Sequence, residues 1–110
     1  MRIRTIVAGI TVLGCAAVYA DGAPAGDRLL LTHYCMAGNQ PRMALRSFDA
    51  STGALAFDFI DATNLATPAA GHMHSVAIRI ADANHIATEW QFHENGQTKM
   101  TETAKYTRVR

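Results

Sequence analysis

The chain has 110 residues and a mass of 11.9 kDa, with 49% hydrophobic, 17% charged and 7% aromatic residues. This composition excludes collagen-like, coiled-coil and disordered chains, and the length leaves room for one small domain. Ten Lys and Arg residues against nine Asp and Glu residues give a formal net charge of +1, without a basic run. Nucleic acid is therefore not an expected partner.

The N-terminal segment has the pattern of a secretory signal peptide. Two arginines lie within residues 1–4, residues 5–17 are almost wholly apolar, and Val18-Tyr19-Ala20 has small residues at the −3 and −1 positions of a cleavage site. A basic start, a short apolar core and a small-residue exit define such a signal. The apolar core is shorter than the roughly 20 residues that span a bilayer. We therefore expect no membrane span after processing.

The predicted organisation is a signal peptide over residues 1–20, a linker over 21–26 and a single domain over 27–110. The protein is then exported, to the periplasm or outside the cell. Cleavage after residue 20 leaves Cys35 as the only cysteine, so no intramolecular disulfide can form.

Two alternatives for the N-terminal segment stay open. Val12-Leu13-Gly14-Cys15 is an imperfect lipobox, with Leu where a small residue is usual, and would anchor the protein through a lipid on Cys15. In the other alternative Ile10–Tyr19 is a buried strand, paired through the Asp21–Gly26 turn with the next strand. Short apolar runs do not distinguish these structures by periodicity alone.

Beyond Gly26 the sequence consists of β-type runs separated by turn residues, and no helical period of 3.6 persists. Asn95-Gly96, between two alternating runs, is the strongest hairpin signal in the chain. We predict an all-β fold, an antiparallel meander of about six strands that closes into a barrel or part-barrel. The predicted strands are Asp27–Met36, Arg42–Phe48, Leu55–Ile60, His72–Ala81, His85–Phe92 and Gln97–Val109.

Apolar residues alternate along these strands, which predicts the face that each strand turns inward. The predicted inward apolar residues of the last four strands are Leu55, Phe57, Phe59, Val76, Ile78, Ile80, Ile86, Trp90, Phe92, Met100, Ala104 and Tyr106. The same alternation turns a set of polar residues inward, all at one end of the barrel: His33, Cys35, Asp61, His72, His74 and Glu102. An apolar cup with a few convergent polar groups is the form of a ligand pocket.

The polar end could instead hold a metal or a catalytic group. His72-Met73-His74 in a strand places two imidazoles about 7 Å apart on one face, and with His33 they would supply ligands that zinc or copper accepts. A structural polar plug is the competing interpretation. Catalysis would use Cys35 as nucleophile, His33 or His74 as base, and Asp61 or Glu102 to orient it. Cys35 lacks a local protease signature, and the sequence favours a protein that is not an enzyme.

The run Leu31–Met43, LTHYCMAGNQPRM, resembles the signature of an uncharacterised bacterial family of lipocalin-like (calycin) β-barrel proteins. Three further segments carry the same resemblance, and they are Phe57–Phe59 with Thr63–Leu65, Gly71–His74 and Glu89–Glu102. The resemblance implies a small-molecule-binding barrel and brings no established activity. Its motif positions in this chain are His33, Tyr34, Cys35, Asn39, Gln40, Arg42, Asn64, His72 and His74.

Family members are longer, with several strands ahead of this region. Six strands leave two unpaired edges, which a folded protein must cover. The chain is then an N-terminally shortened member, or it completes its barrel as a homodimer.

The expected function is that of an exported binding protein for a small apolar or amphipathic ligand, whose polar end meets the barrel mouth. The alternative is a metal- or haem-binding barrel with His33, His72 and His74 as candidate ligands; a Cys/His enzyme is the third interpretation. The expected ligand-binding residues are His33, Tyr34, Cys35, Asn39, Gln40, Arg42, Asp61, Asn64, His72, His74, Trp90 and Glu102.

Overall fold

The computed structural model describes residues 16–19 and 28–110, and every regular element in it is a β-strand. The predicted signal peptide over 1–20 and linker over 21–26 therefore lie largely outside the described residues. Within the described part, no helix has the length and apolar content of a membrane span. The strands are β1 (Ala16–Tyr19), β2 (Leu30–His33), β3 (Gln40–Asp49), β4 (Ala54–Thr63), β5 (His72–Asp82), β6 (His85–Glu94) and β7 (Gln97–Thr107).

The seven strands form one antiparallel sheet in sequence order, which confirms the predicted all-β meander. The sheet is a curled half-barrel. The hairpin turns have the residues that their backbone requires. Asn95 and Gly96 have φ of 54° and 71°, and Gly53 has φ of 69°. Positive φ at consecutive turn positions is the property of tight hairpins that Asn-Gly supplies.

The first strand, β1, pairs antiparallel with β2, so that Val18 lies opposite Leu31. This pairing is the one that the strand alternative expected for the end of Ile10–Tyr19. Residues 10–15 lie outside the described part of the chain. Removal of residues 1–20 as a signal peptide stays a prediction, because pairing in the full chain does not report on processing.

Side chains on one face of the sheet form the core. The register aligns Leu45, Phe57 and Val76 across three strands, and it pairs Val76 with Trp90. Opposed residues in an antiparallel pair lie on the same face, so this row defines the inner face of the half-barrel. The buried core consists of Leu31, Met43, Phe57, Met73, Val76 and Trp90.

The sheet curls far enough for β2 to contact β6. The rings of His33 and Trp90 lie 4.8 Å apart between centroids. Four strand intervals separate β2 from β6, which in a flat sheet would amount to about 19 Å. The curl therefore brings the inner faces of distant strands together, and His33 and Trp90 meet across the interior.

Extra residues interrupt the strict alternation of four strands, which are β3, β4, β5 and β7. Met73 pairs with Phe92 and Ser75 with Gln91, so His74 is an extra residue on β5. A bulge of this kind lets Met73 and Val76, three positions apart, both reach the core. The register also shifts between Arg42 and Met43, where Ile60 is the extra residue on β4, and between Phe92 and His93, where Lys99 is the extra residue on β7. Each shift changes the side of the sheet on which the following residues lie.

Truncation of the central core residue is expected to cost far more stability than truncation of an exposed phenylalanine. Phe57 is 1% exposed, whereas Phe48, on the neighbouring strand, is 59% exposed. Phe57→Ala should lower the free energy of unfolding by about 3–5 kcal/mol, and Phe48→Ala by less than about 1 kcal/mol. Urea denaturation of both variants measures this difference, and equal losses would contradict the burial of Phe57 in the core.

Candidate functional site

The interior of the half-barrel contains buried polar atoms beside Trp90. His33 is 6% exposed, and its Nδ1 makes no hydrogen bond within the described part of the chain. The Thr88 hydroxyl, two residues before Trp90 and therefore on the same face of β6, is also buried without a partner there. Most buried polar groups in proteins are hydrogen-bonded. Two such atoms on one inner face indicate where a polar group of a ligand or a water would bind.

His33 is neutral in this environment. Burial lowers the pKa of its imidazole below the ordinary value of 6.5, because the charged form loses its hydration in an apolar interior. Among the predicted site residues, the structure thus brings His33 and Trp90 together. Glu102 pairs with Trp90 from β7 on the same face, but it is exposed because β7 is the last strand of the sheet.

Four other predicted residues gather on the opposite face. Tyr34, Gln40, Arg42 and Asp61 line an open groove of about 490 Å³ together with Thr32, Ala62 and Thr63. Arg42 donates from Nε to Asp61 Oδ1 at 2.8 Å and from Nη2 to Asp61 Oδ2. The hydrogen bonds from Arg42, together with its charge, lower the pKa of the Asp61 carboxyl.

The rim of this groove is held by amide and hydroxyl groups. Gln40 Oε1 accepts from the Thr63 hydroxyl at 2.7 Å and from Asn64 Nδ2 at 3.0 Å. Asn64 has φ of 55°, a left-handed conformation that Asn tolerates better than most residues. These bonds join the start of β3 to the end of β4, and they place Asn64 with the outer groove.

The prediction that Asp61 faces the barrel interior is wrong. Asp61 pairs with Arg42, whereas Phe59 pairs with Met43, so one residue of β4 is left over between the two pairs. Met43 is fully buried in the core, and its neighbour Arg42 must therefore lie on the other face. Asp61 shares that outer face with Arg42, and half of its side chain is exposed.

A cluster of aromatic rings forms beyond the bulge of β5. His72 Nδ1 lies 2.7 Å from the Ala70 carbonyl oxygen, and its Nε2 lies 2.9 Å from His74 Nδ1. The His74 ring stacks on His93 at 4.0 Å with an interplanar angle of 9°, and on Phe59 at 5.0 Å. The cluster thus links β4, β5 and β6.

The hydrogen-bond partners of these rings determine which ring nitrogens carry a hydrogen atom. A carbonyl oxygen only accepts, so His72 Nδ1 donates to Ala70. In neutral His72 the Nε2 atom is then the acceptor, and His74 Nδ1 donates to it. Burial, followed by the neighbouring His93 and His72 charges, lowers the pKa of His74 despite an opposing effect of Asp58.

The predicted strict alternation from His72 to Val76 is interrupted by the extra residue at His74. Met73 packs into the core, and the ring of His72, which is 4% exposed, lies 4.6 Å from that of Phe59, the partner of the core residue Met43. Sequence reasoning also left out His93, which pairs with His72 and stacks on His74. No local signal marks His93, because its role depends on the register shift between β5 and β6.

The loops at this end of the half-barrel are joined by Asn39 and Cys35. Asn39 is buried, and its Nδ2 donates to the Gly71 carbonyl oxygen at 2.9 Å. Cys35 remains within its own turn: its N–H donates to the Asn39 carbonyl oxygen, and its Sγ accepts from the Ala37 N–H at 3.4 Å. Asn39 and Cys35 therefore have structural contacts, and Cys35 is a free thiol.

The observed contacts do not bring together the residues that the metal alternative or the catalytic alternative requires. Within the described residues, no group of three or more His, Cys, Asp or Glu side chains is arranged to hold a metal ion. His33 lies against Trp90, while His72 and His74 are hydrogen-bonded to each other. In the same part of the chain, no hydrogen bond joins Cys35 to a histidine.

No protein family, curated protein or solved structure matches this chain. The lipocalin-like resemblance of the LTHYCMAGNQPRM run therefore stays an expectation from the sequence.

The free energy of unfolding is expected to fall as the pH drops below about 6.5. The pKa values of His33 and His74 are lowered in the folded protein, so the unfolded chain binds more protons in the window below 6.5. Stability therefore decreases with falling pH there and is fully present above it. Urea unfolding between about pH 8 and pH 5 measures the slope.

The variant His33→Phe should make this slope shallower, since it removes one of the two rings whose pKa is lowered in the folded protein. His85→Gln is the control, because His85 is exposed and bound to Asp82 at the opposite end of the sheet. An unchanged slope in His33→Phe would show that His33 is not buried as described.

Proposed function

We propose that the chain is a non-catalytic binding protein for a small apolar or amphipathic molecule, held on the inner face of the half-barrel. The observation that supports this most directly is an exposed apolar surface on that face. The register aligns Phe48, Leu55 and Ile78 in one row and Ile80 with Ile86 in the next. We call these five residues the concave strip.

The concave strip is continuous with the core but is not covered by it. Leu55 and Ile78 pack against the buried cluster, while Phe48 and Ile80 are 59% and 48% exposed. Scattered apolar residues on a surface are ordinary, but a contiguous patch next to a core usually binds something. An apolar ligand would cover these side chains, and each buried Å² contributes about 25 cal/mol.

Polar atoms at one end of the concave strip support an amphipathic ligand. Thr88 lies opposite Ile78, and its hydroxyl is buried without a partner in the described structure, like Nδ1 of His33. A ligand with its tail on Ile78 and Ile80 would direct a polar group toward these two atoms. That group would satisfy hydrogen bonds whose absence is costly in an apolar interior.

Substitution within the concave strip is expected to weaken binding of an apolar probe. Trp90 is the only tryptophan of the chain, so its fluorescence reports on the inner face. With a medium-chain fatty acid as probe, Ile80→Lys should raise Kd by about tenfold or more, since it places a charge on the apolar surface. Ala77→Lys is the control, because Ala77 is exposed and lies on the other face of β5.

Thr88→Val tests the polar end separately. It removes the buried hydroxyl without changing the side-chain volume. The substitution should weaken binding of the fatty acid more than it weakens binding of the methyl ester. Phe48→Lys provides a second substitution in the concave strip should Ile80→Lys unfold. Equal binding by the Ile80, Phe48 and Ala77 variants would contradict the proposal.

Export is the second element of the proposal, supported by the basic and apolar segment that precedes residue 21. A secreted binding protein would begin at Asp21 when recovered from cells. Native mass spectrometry against a denatured control measures the N-terminus and any retained organic adduct together. A chain that retains residues 1–20 would overturn the export proposal, and stoichiometric bound metal without an organic adduct would favour the metal alternative over the ligand site.

A further inference from the structure

Among the described strands, the last one in the sheet has a long edge without a strand neighbour. β7 runs for 11 residues, and within the described structure its only strand neighbour is β6. Its side chains are largely exposed on both faces, and Met100 on the inner face is 49% exposed. An edge of this length presents a row of backbone N–H and C=O groups that can pair with another strand.

We infer that the free edge of β7 pairs antiparallel with the same edge of a second copy of this chain. Two copies related by a two-fold axis normal to the sheet would extend one sheet, with their inner faces on the same side. Opposed residues then lie on the same face, so the two-fold must pass midway between the two copies of one β7 residue, which oppose each other. This condition leaves a small number of registers.

Charges along β7 exclude the longest register. Centring the pair on Glu102 would oppose Glu102 to its own copy and Lys99 to Lys105. Like charges directly opposite each other destabilise a strand pair. The three charges therefore prevent the full-length pairing, as edge lysines do in many sheets.

A shift by one residue turns the same sequence into a self-complementary edge. With the axis at Thr103, Met100 of each copy opposes Tyr106 of the other on the inner face, and Glu102 opposes Ala104. On the outer face Thr101 opposes Lys105, so no like charges are directly opposed. The overlap runs over residues 99–107, about 30 Å of strand, with roughly one backbone hydrogen bond per opposed pair. Centring on Thr101 instead would oppose Met100 to Glu102, a poorer match.

The pairing would also cover the exposed apolar residue of β7. Met100 pairs with Phe92 within the chain, and in the dimer it would gain the aromatic ring of Tyr106 from the second copy. Cross-strand aromatic pairs are among the stabilising contacts of sheets. The two half-barrels would then share one continuous inner face.

Thr103→Lys tests this pairing without disturbing the folded chain. Thr103 lies opposite Glu89 within the sheet, so a lysine there gains an attractive neighbour in the monomer. In the dimer the two lysines would oppose each other at the axis. Sedimentation over a range of concentrations should show a monomer–dimer equilibrium for the unaltered chain, and a Kd raised about fivefold or more in Thr103→Lys.

Ala77→Lys is the matched control, because Ala77 also lies opposite Glu89, but from β5 in the interior of the sheet. It should leave the dimer Kd unchanged. Mixing Thr103→Lys with Thr103→Glu chains should restore association, since opposite charges then meet at the axis. The inference would be overturned by a chain that stays monomeric at every concentration. It would also be overturned by a dimer whose Kd is unchanged in Thr103→Lys. Fatty-acid binding is measured separately on the monomeric Thr103→Lys variant. It tests the proposed function independently of whether the chain dimerises.

Discussion

The contact between His33 and Trp90 is the constraint on which the shape of this protein depends. It joins the second strand to the sixth, and it therefore measures how far the sheet has curled. The core residues Leu31, Phe57 and Val76 lie beneath that closure, and their burial requires it. Because the contact occupies only one end of the inner face, the other end stays open, and there Phe48 and Ile80 are exposed. The same curvature thus explains both the packed core and the unfilled apolar surface beside it.

Bulges divide the polar residues of the chain into three separate environments. His33 and Thr88 lie with Trp90 inside, Arg42 and Asp61 form an ion pair outside, and His72 and His74 form a ring cluster between strands. Without the extra residue on β4, strict alternation would have directed Asp61 into the interior. The bulge directs this carboxylate to the outer face, where it pairs with Arg42. The interior then retains few polar atoms, which suits an apolar or amphipathic ligand better than an ion.

Strand order, hairpin positions and the inner faces of β4 to β7 could be predicted from the sequence, because these depend on local properties. Asn95-Gly96 determines its turn by backbone conformation, and the alternation of Val76, Ile78 and Ile80 is a property of consecutive residues. The environment of Asp61 and His72 could not be predicted in this way, since a bulge leaves little trace in composition and depends on pairing with another strand. His93 was missed for the same reason. His33 and Trp90 could both be predicted as inward-facing residues, but their contact could not, because the degree of curl is a property of the whole sheet.

The hydrogen bond between His72 and His74 limits how much charge this end of the molecule can hold. In the neutral pair His72 Nδ1 and His74 Nδ1 already carry hydrogen, and His72 Nε2 accepts. An incoming proton therefore has one place to bind, His74 Nε2. Three of the four ring nitrogens then carry hydrogen, and the fourth, His72 Nε2, accepts from His74 Nδ1. A second proton can enter only by breaking the bond between the rings, because His72 Nε2 would then have no lone pair with which to accept. While that bond is intact, the two rings hold at most one positive charge between them.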